Sequence, residues 1–190
     1  MKTWRDIKLR QAQEIALLGE MDELDLVINQ MAIIRDTTID EIEKLSPTEL
    51  IEFTKEYGFL NKVPEMKLTK VFKKGRKRYG IIDFDKMTLA QMVDIEEYYK
   101  DGLQKNLHKI LSVLYLDVKW YNPFNKKYTL CDYEANKERE DVFLDMDMEF
   151  IWQNILFFYH LEKVYIKNLR DYLITTHPEM KEMMTNLMED

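Results

Sequence analysis

The residues of this sequence best suited to bind a metal ion are three carboxylates at alternating positions, Asp145, Asp147 and Glu149. On a loop they could hold Mg²⁺ or Ca²⁺, as a metal-dependent hydrolase would require. The glycine and the ligand spacing of an EF-hand are absent, however. An aromatic-rich helix is expected to begin at this run, and acids stabilise a helix N-terminus. We therefore favour a structural role for these acids and expect no metal or other cofactor.

Nucleophilic catalysis has little support in the sequence. The single cysteine, Cys131, lies in no recognisable nucleophile motif. The three histidines form no zinc-binding pattern: His108, His160 and His177. One of them could still meet Cys131 in space and act as its base. We nevertheless predict a protein that is not an enzyme.

Two glycines have the spacing found in a phosphate-binding loop. Gly75 and Gly80 have the spacing of a Walker motif, but Ile81 and Ile82 replace its lysine and its serine or threonine. Without that lysine no side chain reaches the β- and γ-phosphates. We interpret the segment as a β-hairpin instead, because β-branched and aromatic residues flank its turn.

The densest charge in the sequence falls on this hairpin: Lys67, Lys70, Lys73, Lys74, Arg76, Lys77 and Arg78. Such cations can prevent aggregation, dock an acidic patch on another protein or another copy, or grip nucleic acid. The net charge of −7 makes nucleic acid the less favoured partner. The predicted partner-binding residues are Lys70, Lys73, Lys74, Arg76, Lys77 and Arg78, with the aromatic residues Trp120, Tyr121 and Phe124.

Helix-start signals recur along the chain. Ser46, Pro47 and Glu49 form a capping box with proline at the first helical position. Thr38 with Glu41, and Thr88 with Gln91, form two further predicted boxes. Only five Gly and four Pro are present, which argues against an all-β fold. The predicted fold is mainly α, with one small β-hairpin insert at about residues 67–84.

The second half of the chain is predicted to begin with an ordered aromatic loop over residues 117–132. Helices should follow, from about residue 135 or 145 to residue 173, with a short methionine-rich helix after residue 176. We divide the chain into residues 1–116, a helical domain with the hairpin, and residues 117–190, the loop and C-terminal helices. Both parts are expected to share one core, giving one domain overall.

Four segments carry a resemblance to a known class of proteins. They are Trp4-Arg5-Asp6-Ile7-x-Leu9-x-Gln11-x-x-Glu14-Ile15, then Leu45-Ser46-Pro47-Thr48-Glu49-Leu50, Thr88-Leu89-x-Gln91, and Asn106-Leu107-His108-Lys109-Ile110-Leu111. In this order, over residues 4–116, they resemble small proteins of tailed bacteriophages, in particular crAss-like and other Bacteroidales phages, encoded among virion and tail-assembly genes.

The resemblance implies a virion or tail subunit, or an assembly chaperone, that binds other phage structural or tail proteins or associates with itself. No signal peptide is recognised, and the longest apolar stretch, residues 150–161, is too short to span a bilayer. The expected location is therefore the virion or the host cytoplasm, without membrane contact. The alternative is a nucleic-acid-associated regulatory protein that uses the basic hairpin.

Overall fold

The structure is a computed structural model that describes residues 2–61 and 68–155. Helices predominate in this part of the chain, as predicted. Their bounds are α1 Leu9–Ala16, α2 Glu23–Arg35, α3 Ile39–Ile42, α4 Pro47–Glu56, α5 Leu89–Lys100, α6 Leu103–Leu114 and α7 Lys137–Leu144. Residues 148–155 are also helical. Short 3₁₀ turns cover Trp4–Asp6, Gly58–Asn61 and Phe84–Lys86.

Two of the three predicted capping boxes are confirmed; the one at Thr38 and Glu41 is not, because the Thr38 side chain makes no capping bond at the start of α3. The Ser46 hydroxyl accepts the Glu49 backbone N–H at 3.4 Å, while Glu49 Oε2 accepts the Ser46 N–H at 2.8 Å. Thr88 and Gln91 make the same reciprocal pair at the start of α5, at 3.3 and 3.0 Å. These bonds satisfy backbone donors that a helix start leaves without partners, and so they fix where α4 and α5 begin.

The basic hairpin is confirmed. It consists of β1 Val71–Lys74 and β2 Lys77–Ile81, paired antiparallel with Phe72 opposite Tyr79. Gly75 has a φ of +59° at the first position of the two-residue turn. Only glycine adopts this conformation without strain, and it is common in tight hairpin turns.

The prediction of a single hairpin is wrong. β3 Tyr115–Tyr121 follows α6 directly and pairs with β2, and β4 Tyr128–Leu130 pairs with β3. The sheet therefore has four antiparallel strands in the order β1-β2-β3-β4. The predicted aromatic loop at residues 117–132 is largely a second hairpin. A lone hairpin would leave one edge of β2 unpaired, but here β3 forms hydrogen bonds along that edge. β2 therefore has a strand on both sides.

One face of the sheet packs against helices to form the main core. Tyr79, Tyr115 and Phe143 are each at most 2% exposed. The ring of Phe72 stacks on Tyr79 with centroids 5.1 Å apart and meets Phe150 edge-on at 4.8 Å. A smaller cluster of Met31, Ala32, Ile42 and Phe53 joins α2, α3 and α4. The predicted helices beyond residue 155, with His160 and His177, lie outside the described residues.

Candidate binding surface

The sheet brings the two groups of predicted contact residues together. Tyr79 on β2 lies opposite Asp117 on β3 in an antiparallel pair, so the start of β2 and the end of β3 both lie near the β1–β2 turn. A groove of about 330 Å³ is lined there by Arg76, Lys77, Arg78, Lys119, Trp120 and Tyr121. We call these six residues, together with Lys73 opposite Arg78 on β1, the basic–aromatic surface.

A β-bulge shapes the aromatic side of this surface. The pairing of β3 with β4 shifts between Val118 and Trp120. A bulge changes which face of the sheet the following side chains occupy. Beyond it, the Tyr121 ring lies under the Arg78 guanidinium, 5.0 Å from carbon to ring centroid. Trp120 is 53% exposed. The surface thus places the Arg78 guanidinium, held over Tyr121, near the exposed ring of Trp120.

Several cations of the surface have no acidic partner among the described residues. In residues 2–61 and 68–155, no ion pair involves Lys73, Arg76, Arg78 or Lys119. Lys77 differs, because its ammonium lies 2.8 Å from Glu138, which raises the pKa of Lys77. The carboxylate that lines the groove, Asp117, is paired with the buried Arg139 at 3.1 Å. The groove therefore presents excess positive charge to solvent.

Three predicted contact residues lie outside the basic–aromatic surface. The Lys74 ammonium donates to the backbone carbonyl of Asp145 at 3.3 Å. Lys70 is exposed just before β1, and its carbonyl accepts the Ile81 N–H at 2.8 Å. Phe124 lies in the β3–β4 turn and is 96% exposed. Lys119 also lines the groove, although it was not predicted from the sequence as a contact residue. The alternation of apolar and polar residues at Val118, Lys119 and Trp120 could have indicated the strand that carries it.

The three acids at residues 145–149 contact three different sets of partners. Asp145 pairs with Arg10 and, at 3.3 Å, with Lys8. Partial burial favours its protonated form, but these two cations outweigh burial and lower the pKa of Asp145. Asp147 Oδ1 accepts the Phe150 N–H at 2.9 Å, as a helix-starting acid does. Within the described residues no group of His, Cys, Asp or Glu has the arrangement of a metal site.

Glu149 completes this set by forming a two-point ion pair with Arg5. Its two carboxylate oxygens lie 2.7 and 2.9 Å from the Arg5 guanidinium nitrogens. Bidentate pairs of this kind fix geometry as well as charge. The contact therefore ties the N-terminal turn to the helical residues 148–155.

His108 and Cys131 lie in different surroundings. The half-buried His108 ring lies 3.3 Å from the Gln13 amide, and burial lowers the pKa of His108. Cys131 is exposed and lines a pocket of about 350 Å³ with Asp83, Lys86 and Gln91. No histidine of the described segments lines that pocket. Its buried amide, Gln91, donates to the Val113 carbonyl at 3.1 Å.

Comparisons with known proteins add no relative to this description. The chain matches no protein-family model, no curated protein and no solved structure. Separately, none of the helices in the described ranges has the length and apolar character needed to cross a bilayer.

Proposed function

We propose that this protein is a non-catalytic component of a bacteriophage particle, either a minor virion or tail subunit or a tail-assembly chaperone. It acts by binding an acidic surface of another protein through the basic–aromatic surface. The phage setting rests on the sequence resemblance over residues 4–116. The binding role rests on one observation, the groove in which two hairpins combine cations that form no ion pair within the described residues with the exposed ring of Trp120 and the partly buried ring of Tyr121.

The composition of the groove supports protein binding. Arginine, tryptophan and tyrosine are enriched where proteins contact each other, because they combine a large contact area with a polar end. Arg78, Trp120 and Tyr121 supply these three residue types side by side. Unpaired Lys73, Arg76 and Lys119 around them would steer an acidic partner toward the groove.

Co-purification during infection tests the proposal. The tagged chain is expressed in host cells infected by a phage that encodes it, and identified virion or tail proteins that stay bound are quantified by mass spectrometry. The triple variant K73E/R76E/K119E should lose most of this material, because charge reversal on an interface slows association and repels an acidic partner.

The matched control is K44E/K55E/K137E, which makes the same change in net charge at exposed lysines outside the surface. It should retain the co-purifying proteins. The proposal fails if both variants keep the same partners, or if both lose them equally.

A nucleic-acid-associated role is the second candidate, and the exposed rings favour it. Bases could stack on the exposed ring of Trp120, and the Arg78 guanidinium over Tyr121 could contact the phosphates beside them. Single-stranded DNA and RNA oligonucleotides distinguish the two roles by fluorescence anisotropy. Binding that weakens steeply with salt and disappears in K73E/R76E/K119E would favour nucleic acid. We expect no such binding at about 150 mM salt, where the negative net charge opposes it.

A further inference from the structure

The charges of this molecule are separated between two regions. Residues 20–56, which contain α2, α3 and α4, carry eleven carboxylates and three cations, a net charge of −8. Residues 70–81 and 115–130, which contain the four strands, carry nine cations and one carboxylate, a net charge of +8. The net charge of −7 for the whole chain conceals this polarity.

The two regions do not neutralise each other within one molecule. All eleven carboxylates of residues 20–56 are exposed. Not one of them forms an ion pair in the described part of the chain, although Glu41 accepts the Thr37 hydroxyl and Glu49 caps α4. No described hydrogen bond or ion pair links α2, α3 or α4 to the strands. Each region is therefore free to attract charge from outside.

The acidic region also exposes apolar side chains that a contact would cover. Leu24 is 61%, Ile39 42% and Ile51 55% exposed. Apolar residues set among charges are typical of protein contacts, and the aromatic rings of the groove offer matching apolar area. Glu52 and Glu56 lie one helical turn apart on α4 and so share one face of it. The exposed Ile51, next to Glu52 in sequence, adds apolar area beside this negative charge.

We infer that the basic–aromatic surface of one copy docks on the acidic region, residues 20–56, of a second copy. The inference rests on the proposed function and names the partner of the same surface. Because the two contacting surfaces differ, the contact is head-to-tail, and it generates a closed ring or an open filament rather than a symmetric dimer. Charge complementarity between +8 and −8 regions is what selects a second copy as the partner.

Two neutralised variants of the full chain isolate the two halves of this contact. The first, K73Q/R76Q/K119Q, removes three cations of the basic–aromatic surface. The second, E43Q/E52Q/E56Q, removes three exposed carboxylates that make no described hydrogen bond or ion pair. Sedimentation velocity at about 50 mM salt, where the Debye length is about 14 Å, compares each variant with the natural sequence. Circular dichroism checks that both variants remain folded.

The natural sequence should form species larger than a dimer as its concentration rises. Either variant alone should associate about tenfold more weakly, since three exposed ion pairs are lost. An equimolar mixture should recover the lost affinity but stop at a one-to-one heterodimer, because only one intact pair of surfaces remains.

The outcomes separate this inference from the proposed function. A natural sequence that stays monomeric overturns self-association, whereas the co-purification experiment still decides whether the surface binds another phage protein. A glutamate variant that associates as strongly as the natural sequence also overturns the inference. A mixture of the two variants that fails to recover association has the same consequence.

Discussion

At the scale of single residues, Tyr115 decides how tightly β3 is held in the core. Its ring is fully buried, and its hydroxyl lies 2.6 Å from both the Thr69 carbonyl oxygen and Asn154 Oδ1. It donates its one proton to one of these acceptors at a time. Burial raises the pKa of Tyr115, so the phenol remains protonated at any ordinary pH. The hydroxyl thus connects three separate segments of the chain.

Replacing Tyr115 by phenylalanine removes this hydroxyl and keeps the ring. We expect the free energy of unfolding to fall by about 1–2 kcal/mol, since a buried acceptor loses its donor. Urea denaturation should show a lower midpoint with an unchanged slope. Tyr99→Phe is the control, because Tyr99 is 57% exposed. Equal midpoints for Tyr115→Phe and the natural sequence would show that the buried hydroxyl contributes nothing.

At the scale of elements, Gly80 allows the second hairpin to lie against the first. A Cβ at this position on β2 would lie 2.8 Å from Tyr128 Cε2 and 3.0 Å from Leu130 Cδ2, both on β4. The Tyr128 ring reaches across β3 to occupy this space, and its hydroxyl donates to the Ile81 carbonyl at 2.8 Å. The absent side chain is therefore part of the contact between β2 and β4.

Gly80→Ala should force Tyr128 and Leu130 away and lower the free energy of unfolding by about 1–3 kcal/mol. Gly19→Ala is the control, because a Cβ there meets no atom within 4 Å. In a Tyr128→Ala background the cost of Gly80→Ala should shrink, which thermal and urea denaturation of the double-mutant cycle would reveal. A cost that is independent of residue 128 would mean that β4 does not pack over Gly80.

Elements also show which parts of the fold are predictable from sequence. The starts of α4 and α5 were predictable because the bonds that fix them are local. Ser46 bonds with Glu49, and Thr88 bonds with Gln91, each pair only three residues apart in the chain. The β1–β2 hairpin was predictable for the same reason, as Gly75 fixes its turn locally. The pairing of β3 with β2 was not predictable, because β2 ends 34 residues before β3 begins and no local signal specifies which strands pair.

The candidate surface was predictable in part for this reason. Local charge density pointed to Arg76, Lys77 and Arg78, and local aromatic density pointed to Trp120 and Tyr121. Their meeting in one groove depends on the pairing of β2 with β3, which the sequence does not state. Lys119 was not predicted as a contact residue, because its place in the same groove as Arg76 depends on that pairing.

At the scale of the whole molecule, the main feature is the separation of negative from positive charge between two regions of the chain. The net charge of −8 on residues 20–56 and of +8 on residues 70–81 and 115–130 gives each copy two regions that attract each other's counterpart on a second copy. Such contacts are screened by salt, so their effect should depend strongly on ionic strength. A protein that carries two regions of opposite charge is suited to building an assembly, which is the role we propose.

Zero-length cross-linking between labelled copies tests this claim most directly. Copies with natural and heavy nitrogen are mixed, treated with a carbodiimide that joins amines to carboxylates in contact, and analysed by mass spectrometry. We predict cross-links between light and heavy copies from Lys73 or Lys119 to Glu43, Glu52 or Glu56, and their loss at about 500 mM salt. Intermolecular cross-links that avoid these residues, or cross-links confined to single copies, would contradict the account.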